Sequence, residues 1–237
     1  GRSEVTSVVI SEGIKTIGLC AFMSCNNMTS VMIPSSVTQI DPWAFSFCNN
    51  LVSVISKIDV PFEIDQSVFS LNNEEVEGKT VYTPSQAILY VPEGKTSSYQ
   101  SFTGWNMFID ILEGDLIEGT DGTFNYACAT GSKVATLVSG DYSGLSNITI
   151  PSTATIDGVV YAVKTIGKEA FFNCYNLESV TFSEGLNAIR YYAFGYCYNA
   201  EFSSLPSSIK VIDDNAFFNC NRITNLVIPD GCTTIGN

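Results

Sequence analysis

No histidine occurs anywhere in the 237 residues. That absence removes the commonest general base at neutral pH and the commonest neutral metal ligand. Ser-His-Asp and Cys-His nucleophile systems are excluded with it, as is any histidine-containing zinc site. Positive charge is scarce as well: 11 Lys and Arg stand against 24 Asp and Glu, a formal net charge of −13. A nucleic-acid binder needs a basic surface that displaces counterions from phosphate, and this chain repels phosphate. An anionic membrane surface is disfavoured on the same ground. No apolar run approaches the roughly 20 residues that span a bilayer, so membrane insertion is not expected. The opening Gly1-Arg2-Ser3-Glu4 is no secretory leader, which leaves room for an export signal removed ahead of it. With 45% hydrophobic and 15% charged residues, the composition argues against disorder.

What is present is periodic. Ile10-Ser-Glu-Gly-Ile-Lys-Thr-Ile17-Gly-Leu-Cys-Ala21-Phe22-Met-Ser-Cys25-Asn-Asn-Met28-Thr-Ser-Val31 is followed by Ile33-Pro-Ser-Ser-Val-Thr-Gln-Ile40-Asp-Pro-Trp-Ala44-Phe45-Ser-Phe-Cys48-Asn-Asn-Leu51-Val-Ser-Val54, each matched position 23 residues on. The same spacing returns later in Ile166, Ile189, Ile212 and Ile235, in Ala170-Phe171, Ala193-Phe194 and Ala216-Phe217, and in Cys174, Cys197 and Cys220. Each unit carries a Leu-x-x-Leu-x-Leu type of pattern, as in Met28-x-x-Val31-x-Ile33, Leu177-x-x-Val180-x-Phe182 and Ile223-x-x-Leu226-x-Ile228. That pattern marks the short strand of a leucine-rich repeat. The first, fourth and sixth positions should point inward and the residues between them toward an open, concave face. The segment after the strand, typified by Ile33-Pro34-Ser35-Ser36-Val37, reads as a turn. The Ala-Phe-x-x-Cys segment should return along the opposite wall as a short helical turn or irregular chain. A single repeat cannot bury its own apolar wall, so the Phe column should stack into a continuous spine.

The expected fold is therefore a leucine-rich-repeat solenoid of 23-residue repeats, with short parallel strands on the concave face and short helical or irregular convex segments. The period falters after Val54, though Ile64-Asp-Gln-Ser-Val68-Phe69 keeps part of it. Asn72 to Lys79 reads as a solvated turn and Ala87 to Val91 as a strand. Tyr99, Phe102 and Trp105, at three-residue spacing, predict a short helix laid over the last open repeat. Glu113 to Gly122 reads as a linker. Phe124 to Cys128 and Val134 to Val138 read as strands that introduce a second series of repeats. Two arrays are expected: residues 1–114 with a C-terminal cap at about 87–112, and residues 115–237 with an N-terminal cap at about 123–150. Both chain ends fall inside repeats, at Val5–Ile10 and at Ile235-Gly236-Asn237, which predicts a longer native protein or end-to-end self-association.

The motif Ile-Gly-x-x-Ala-Phe-x-x-Cys-x-x-Leu-x-Ser-Val-x-Ile-Pro is carried almost in full by Ile17–Pro34 and by Ile166–Thr181. In this the chain resembles the BspA-type leucine-rich-repeat proteins. Leu89-Tyr-Val-Pro-Glu-Gly, with Tyr99, Gly104-Trp105 and Phe108, is similar to the closing cap of such arrays. The resemblance implies export to the cell surface, the extracellular space or the periplasm. It also implies adhesion to, or binding of, a host or matrix protein or glycan without catalysis. It transfers no individual binding residue.

Each candidate site has a plainer reading beside it. Eight cysteines in an exported protein suggest disulfides. Five of them, Cys25, Cys48, Cys174, Cys197 and Cys220, share one repeat position, which predicts a ladder of small, buried, free thiols. Cys20, Cys128 and Cys232 lie off that ladder. Cys20 and Cys25 have a zinc-like gap but no second pair, and Asp213-Asp214 lacks a calcium pattern, so neither a metal site nor a cofactor is expected. Paired carboxylates could support hydrolysis, yet nothing singles out a pair, and an enzyme is the third reading. The candidate partner surface is the concave strip: Thr29, Ser30 and Met32; Val52, Ser53 and Ile55; Glu178, Ser179 and Thr181; Glu201, Phe202 and Ser204; and Thr224, Asn225 and Val227. It shows no Trp/Tyr/Arg cluster of the kind that makes an affinity hot spot. The rival to a binding surface is a structural spacer or stalk that displays another domain.

Overall fold

The computed structural model describes residues 4–237; Gly1-Arg2-Ser3, part of the opening read above as no secretory leader, lies outside them. The chain divides into two compact units, one ending at Leu116 and taking in Thr130–Ser132, the other formed by Ile117–Ala129 and Lys133–Asn237.

In the first unit the Val- and Ile-rich segments Ser7–Val9, Ser30–Ile33, Ser53–Ser56, Ile88–Val91 and Asp110–Glu113 pair in that order as a five-stranded sheet. β-Branched side chains favour this pleated, half-buried state. All the pairings are parallel, and they align Val8, Val31, Val54, Leu89 and Ile111 in one row. Val31, Val54 and Leu89 in that row are fully buried. The isoleucine column, to which the sequence pattern assigns no element, forms a second line of short parallel strands. Thr16–Ile17 pairs with Gln39–Ile40. In the second unit Val159–Ile166, Ala188–Ile189, Val211–Ile212 and Thr234–Ile235 pair in series. The L-x-x-L strands of that unit are Asn147–Ile150, Ser179–Phe182 and Glu201–Phe202, again parallel.

Between the two strand lines runs the Ala-Phe segment, which is a series of turns and contains no helix. Two residues in five of the copies take positive φ: Cys20 and Ser24, Trp43 and Phe47, Glu169 and Asn173, Tyr192 and Tyr196, Asn215 and Asn219. This left-handed conformation costs an ordinary L-residue roughly 1–2 kcal/mol, and Asn tolerates it best. Repetition of the backbone shape explains why a helix cannot form there. It also brings each Phe ring over the next: Phe22 lies 5.2 Å from Phe45, Phe45 5.1 Å from Phe69, Phe171 5.1 Å from Phe194 and Phe194 5.6 Å from Phe217, all stacked. Burying each ring contributes roughly 1.5–3 kcal/mol.

The cysteine column has its own bond. The thiols of Cys48, Cys197 and Cys220 point at the carbonyl oxygens of Phe22, Phe171 and Phe194 in the preceding repeat, at 3.2, 3.1 and 3.1 Å. All eight cysteines are free thiols, with Cys20 exposed and Cys128 buried. A third cross-repeat bond closes the turns. Glu12 accepts from the N–H and Oγ of Ser35 (3.1 and 3.2 Å), and Glu184 accepts from the N–H and Oγ of Ser207 (3.2 and 3.1 Å). The next serine, Ser36 or Ser208, donates to the carbonyl of Ile14 or Leu186.

The elements that break the period differ from expectation in three places. The segment Asn72–Lys79 is not merely a turn: Asn72–Val76 and Lys79–Thr83 form an antiparallel hairpin. Only Glu77-Gly78 turns, both with positive φ, as a two-residue hairpin loop requires. The aromatic series after Tyr99 is not one helix. An α-helix spans Thr96–Ser101 and a separate 3-10 turn spans Trp105–Met107. Gly104 interrupts them at φ +83°, where a Cβ would sit 2.5 Å from the Ile64 carbonyl oxygen. Tyr99 and Trp105 are nevertheless buried, and they anchor this segment by donating to the carbonyls of Ile58 and Phe62 at 2.8 Å each. Lastly, the expected linker Glu113–Gly122 is largely strand, since Asp110–Glu113 and Leu116–Thr120 flank only Gly114-Asp115. Glu113 and Asp115 are held there because their N–H groups donate to Ser132 Oγ (2.7 Å) and Thr130 Oγ1 (2.8 Å). In the second unit Phe124 and Tyr142 close the Phe column, each packing on Phe171 (5.9 and 5.0 Å).

Candidate partner surface

The pleat sends alternate residues of each L-x-x-L strand away from the core. In the first unit this outward row is Val9, Met32, Ile55, Tyr90 and Leu112, with Ser7, Ser30, Ser53, Ile88 and Asp110 beside it. Thr29 and Val52 are exposed at the strand entries and Met32 and Ser30 are half-buried. Ser53 and Ile55, expected on the open strip, are both only 8% exposed. Their register partners Ile88 and Tyr90 are buried too, so this stretch of the face is closed to solvent. Its apolar character comes from the strand Ile88–Val91, which lies outside the 23-residue series.

The second unit keeps an open, polar face. Glu178, Thr181 and Glu201 are exposed and Ser179 is half-buried. Thr224, Asn225, Val227 and Ser204 are exposed as well, but the segment containing the first three has no strand pairing. Phe202 departs from its expected position. The 23-residue spacing matches it to Ser179, on the open face, whereas the structure pairs it with Val180, 22 residues back. Its ring therefore turns inward, 5.1 Å from both Phe194 and Phe217. The cause is the serine at 203, which a strict period would have placed in the buried slot; a one-residue shift exchanges the two faces.

Ser146, Asn147, Ser179 and Glu201 form the floor of a concavity of about 770 Å³, rimmed by Tyr175, Asn176, Asn199 and Arg222. The polar groups are mutually fixed. Ser179 Oγ donates to Asn147 Oδ1 at 2.6 Å, and the hydroxyls of Thr149 and Thr181 share a 2.7 Å bond. Asn176 and Asn199 donate from Nδ2 to the carbonyls of Ser143 (2.6 Å) and Tyr175 (2.9 Å). Arg222 Nη1 sits 3.6 Å from Glu201 Oε1, an exposed pair that screening keeps weak. Asn147, Tyr175, Asn176, Asn199 and Arg222 were missed in the sequence. The Tyr-Asn step at Tyr175-Asn176 and Tyr198-Asn199, one period apart, was the available signal.

Such a surface offers amide and hydroxyl groups and two carboxylates on a rigid sheet. Among the described residues no group of three or more Cys, Asp or Glu is placed to hold a metal ion. Burial makes poor nucleophiles of three of the thiols, pushing Cys48 and Cys174 up to about 11 and Cys220 up to about 12, far from the low values of reactive cysteines. No helix of the described residues is long and apolar enough to cross a membrane.

Comparison of the sequence with curated proteins returns no match. Among solved structures, the chain is similar to the T. pallidum leucine rich repeat protein at 24% identity and a TM-score of 0.44, covering 51% of this chain and 54% of that one. It is similar to the pneumococcal vaccine antigen PcpA at 15% identity and a TM-score of 0.40, covering 99% and 69%. A leucine rich cell surface protein from Faecalibacterium prausnitzii is similar at 15% identity and a TM-score of 0.35, covering 96% and 82%. The chain thus spans about half the length of the T. pallidum structure. The BspA type leucine rich repeat region is matched in six copies, over residues 1–87 and 141–237. With most of its length accounted for by those copies, the chain belongs to the BspA-type leucine-rich-repeat family.

Proposed function

We propose that the chain is a non-catalytic interaction module, exported and displayed at the cell surface, that holds a protein or glycan ligand in the polar concavity of its second unit. In this reading the repeats form two arrays of 23-residue units, each closed by its own cap: Tyr99 and Trp105 in one, Phe124 and Tyr142 in the other. The observation that carries the binding role is the fixed polar set Asn147, Ser179, Asn176 and Asn199, whose side chains are already hydrogen-bonded in place. A ligand meeting such a surface loses little to ordering of the site. Absence of histidine and the burial of six of the eight thiols favour binding over catalysis. Export rests on the family.

The main test is a panel of immobilised matrix proteins and mucin glycans. Ser179→Arg combined with Asn147→Arg should lower retention at least tenfold while circular dichroism and melting stay as in the parent. A chain that binds nothing on the panel is a spacer in the stalk sense, and one that binds equally after both substitutions does not use the concavity.

A further inference from the structure

The left-handed positions of the Ala-Phe turn hold a second, aromatic surface, which Tyr198 links to Tyr175 in the lining of the concavity (5.8 Å from Tyr196 and 5.6 Å from Tyr175). Asn occupies both positions in the last copy, Asn215 and Asn219, and relieves the backbone there. One repeat earlier the same two positions are Tyr192 (φ +52°) and Tyr196 (φ +63°). Bulky residues in this conformation persist where function or packing demands them. The two rings stack on each other at 6.4 Å. Phe172 meets them edge-on from one neighbouring repeat (5.6 and 5.4 Å), and Phe218 does so from the other (5.5 and 5.3 Å). The position between Phe172 and Phe218 in the period is Gly195, whose φ is not positive. Glycine is required there by the rings, because a Cβ would lie 2.5 Å from Tyr192 Cδ1 and 3.0 Å from Phe172 Cδ2.

These rings do not belong to either hydrophobic core, and Phe172 and Phe218 are each 37% exposed. Isolated apolar residues at a surface need no explanation, but a contiguous aromatic set does. Its border is acidic. The carboxylates of Glu169 and Asp214 act on Tyr191, which packs 4.6 Å from Tyr192. A cation already uses one of the rings, since Lys168 Nζ lies 5.9 Å over the face of Tyr191. Asp213 is engaged by Arg190 at 3.5 Å; Asp214 is exposed and also accepts from the Asn237 N–H at 2.7 Å, and half-buried Glu169 holds the position one repeat before Tyr192.

We propose that the faces of Tyr192, Tyr196, Phe172 and Phe218 form a docking surface for an arginine-bearing segment of a protein partner, with Glu169 and Asp214 pairing with its positive charge. A guanidinium plane stacks on aromatic faces and pairs with carboxylates at the same time, and Tyr and Arg dominate interface hot spots. A second copy of this chain is the wrong occupant electrostatically, because it would bring the same net charge of −13 to an acidic border. The inference does not rest on the concavity being a binding site.

The test uses a synthetic peptide of repeated Arg-Gly-Ser units, its Glu-Gly-Ser counterpart and a neutral gluco-oligosaccharide, each titrated by calorimetry against the whole chain. The Arg peptide should bind, weaken with salt, and lose at least tenfold in affinity in the double variant Tyr192→Asn, Tyr196→Asn. Because Asn is the residue that the next repeat itself uses, that variant should melt at or above the parent temperature. The concavity pair Ser179→Arg, Asn147→Arg should leave peptide binding unchanged within twofold. On the unaltered protein, cross-relaxation between arginine Cδ protons and tyrosine ring protons should be seen, whatever the variants do. Three results overturn the proposal: equal peptide binding by parent and double variant, absence of those cross-peaks, or salt-independent preference for the oligosaccharide.

Discussion

The two units use one turn to different ends. Each has a repeat whose two left-handed positions are both aromatic, Trp43 and Phe47 in the first, Tyr192 and Tyr196 in the second. In the first, the hairpin Asn72–Val76 with Lys79–Thr83 brings Tyr82 edge-on to Trp43 at 5.7 Å. In the second no insertion follows, and the half-buried aromatic pair is bordered by Phe172 and Phe218, each 37% exposed. The open faces of the L-x-x-L sheets differ in the reverse sense. That of the first unit is closed at Ser53, Ile55 and Tyr90, while that of the second is a polar concavity. The repeat builds the same scaffold twice, and what is inserted between repeats decides which face remains available.

The largest effect that can break this comparison lies in what the units share. Phe45→Asp and Phe194→Asp each place a carboxylate between two stacked rings. Losing a buried Phe alone costs about 3–5 kcal/mol, and an unpaired buried charge adds to it. Each variant should fail to accumulate as soluble folded protein. Hydrogen exchange on whatever is recovered should show protection lost in the unit that carries the change. Unaltered melting of either variant would contradict the spine.

Alkaline pH separates the units more gently. A thiol whose folded pKa is raised above its ordinary value near 9 stabilises the fold fully below that value. The stabilisation is lost as pH rises through the unfolded value toward the folded one, here between about 9 and 12. Burial raises Cys48 in the first unit, and Cys174, Cys197, Cys220 and Cys128 in the second. At a shift of two units a thiol is worth on the order of 2–3 kcal/mol. Melting temperature should therefore fall steadily above pH 9, with exchange protection going first in the second unit. Tyr99, pushed up to about 12 by burial, makes a smaller contribution in the first unit at the top of the range.

The smallest effect sharpens the comparison directly. Tyr82→Ala removes one edge-to-face contact from Trp43, worth about 0.5–1.5 kcal/mol. It should cost a few degrees of melting temperature and shift tryptophan emission to the red. It should also create in the first unit an aromatic surface like that of the second. Emission identical to the parent would mean that the hairpin does not shield the ring.

Much of this was legible without coordinates. The period alone identified the inward rows, the Phe spine and the free-thiol column, because each repeats a side-chain direction that the neighbouring repeat must match. It placed Phe202 on the wrong face because a period assumes constant register. One shifted residue at Ser203 is enough to reverse a strand's two faces. It assigns no element to the isoleucine column because a strand of two residues has no alternation to detect. The aromatic surface of the second unit was hidden for another reason. Phe172, Tyr192, Tyr196 and Phe218 come from three repeats and different columns, and only the left-handed turns bring their rings together. What the amino-acid sequence determined by itself is the scaffold, since burial repeats with the period. Which face stays open was decided only by tertiary structure, because it depends on where the non-repeating hairpin and strands come to rest.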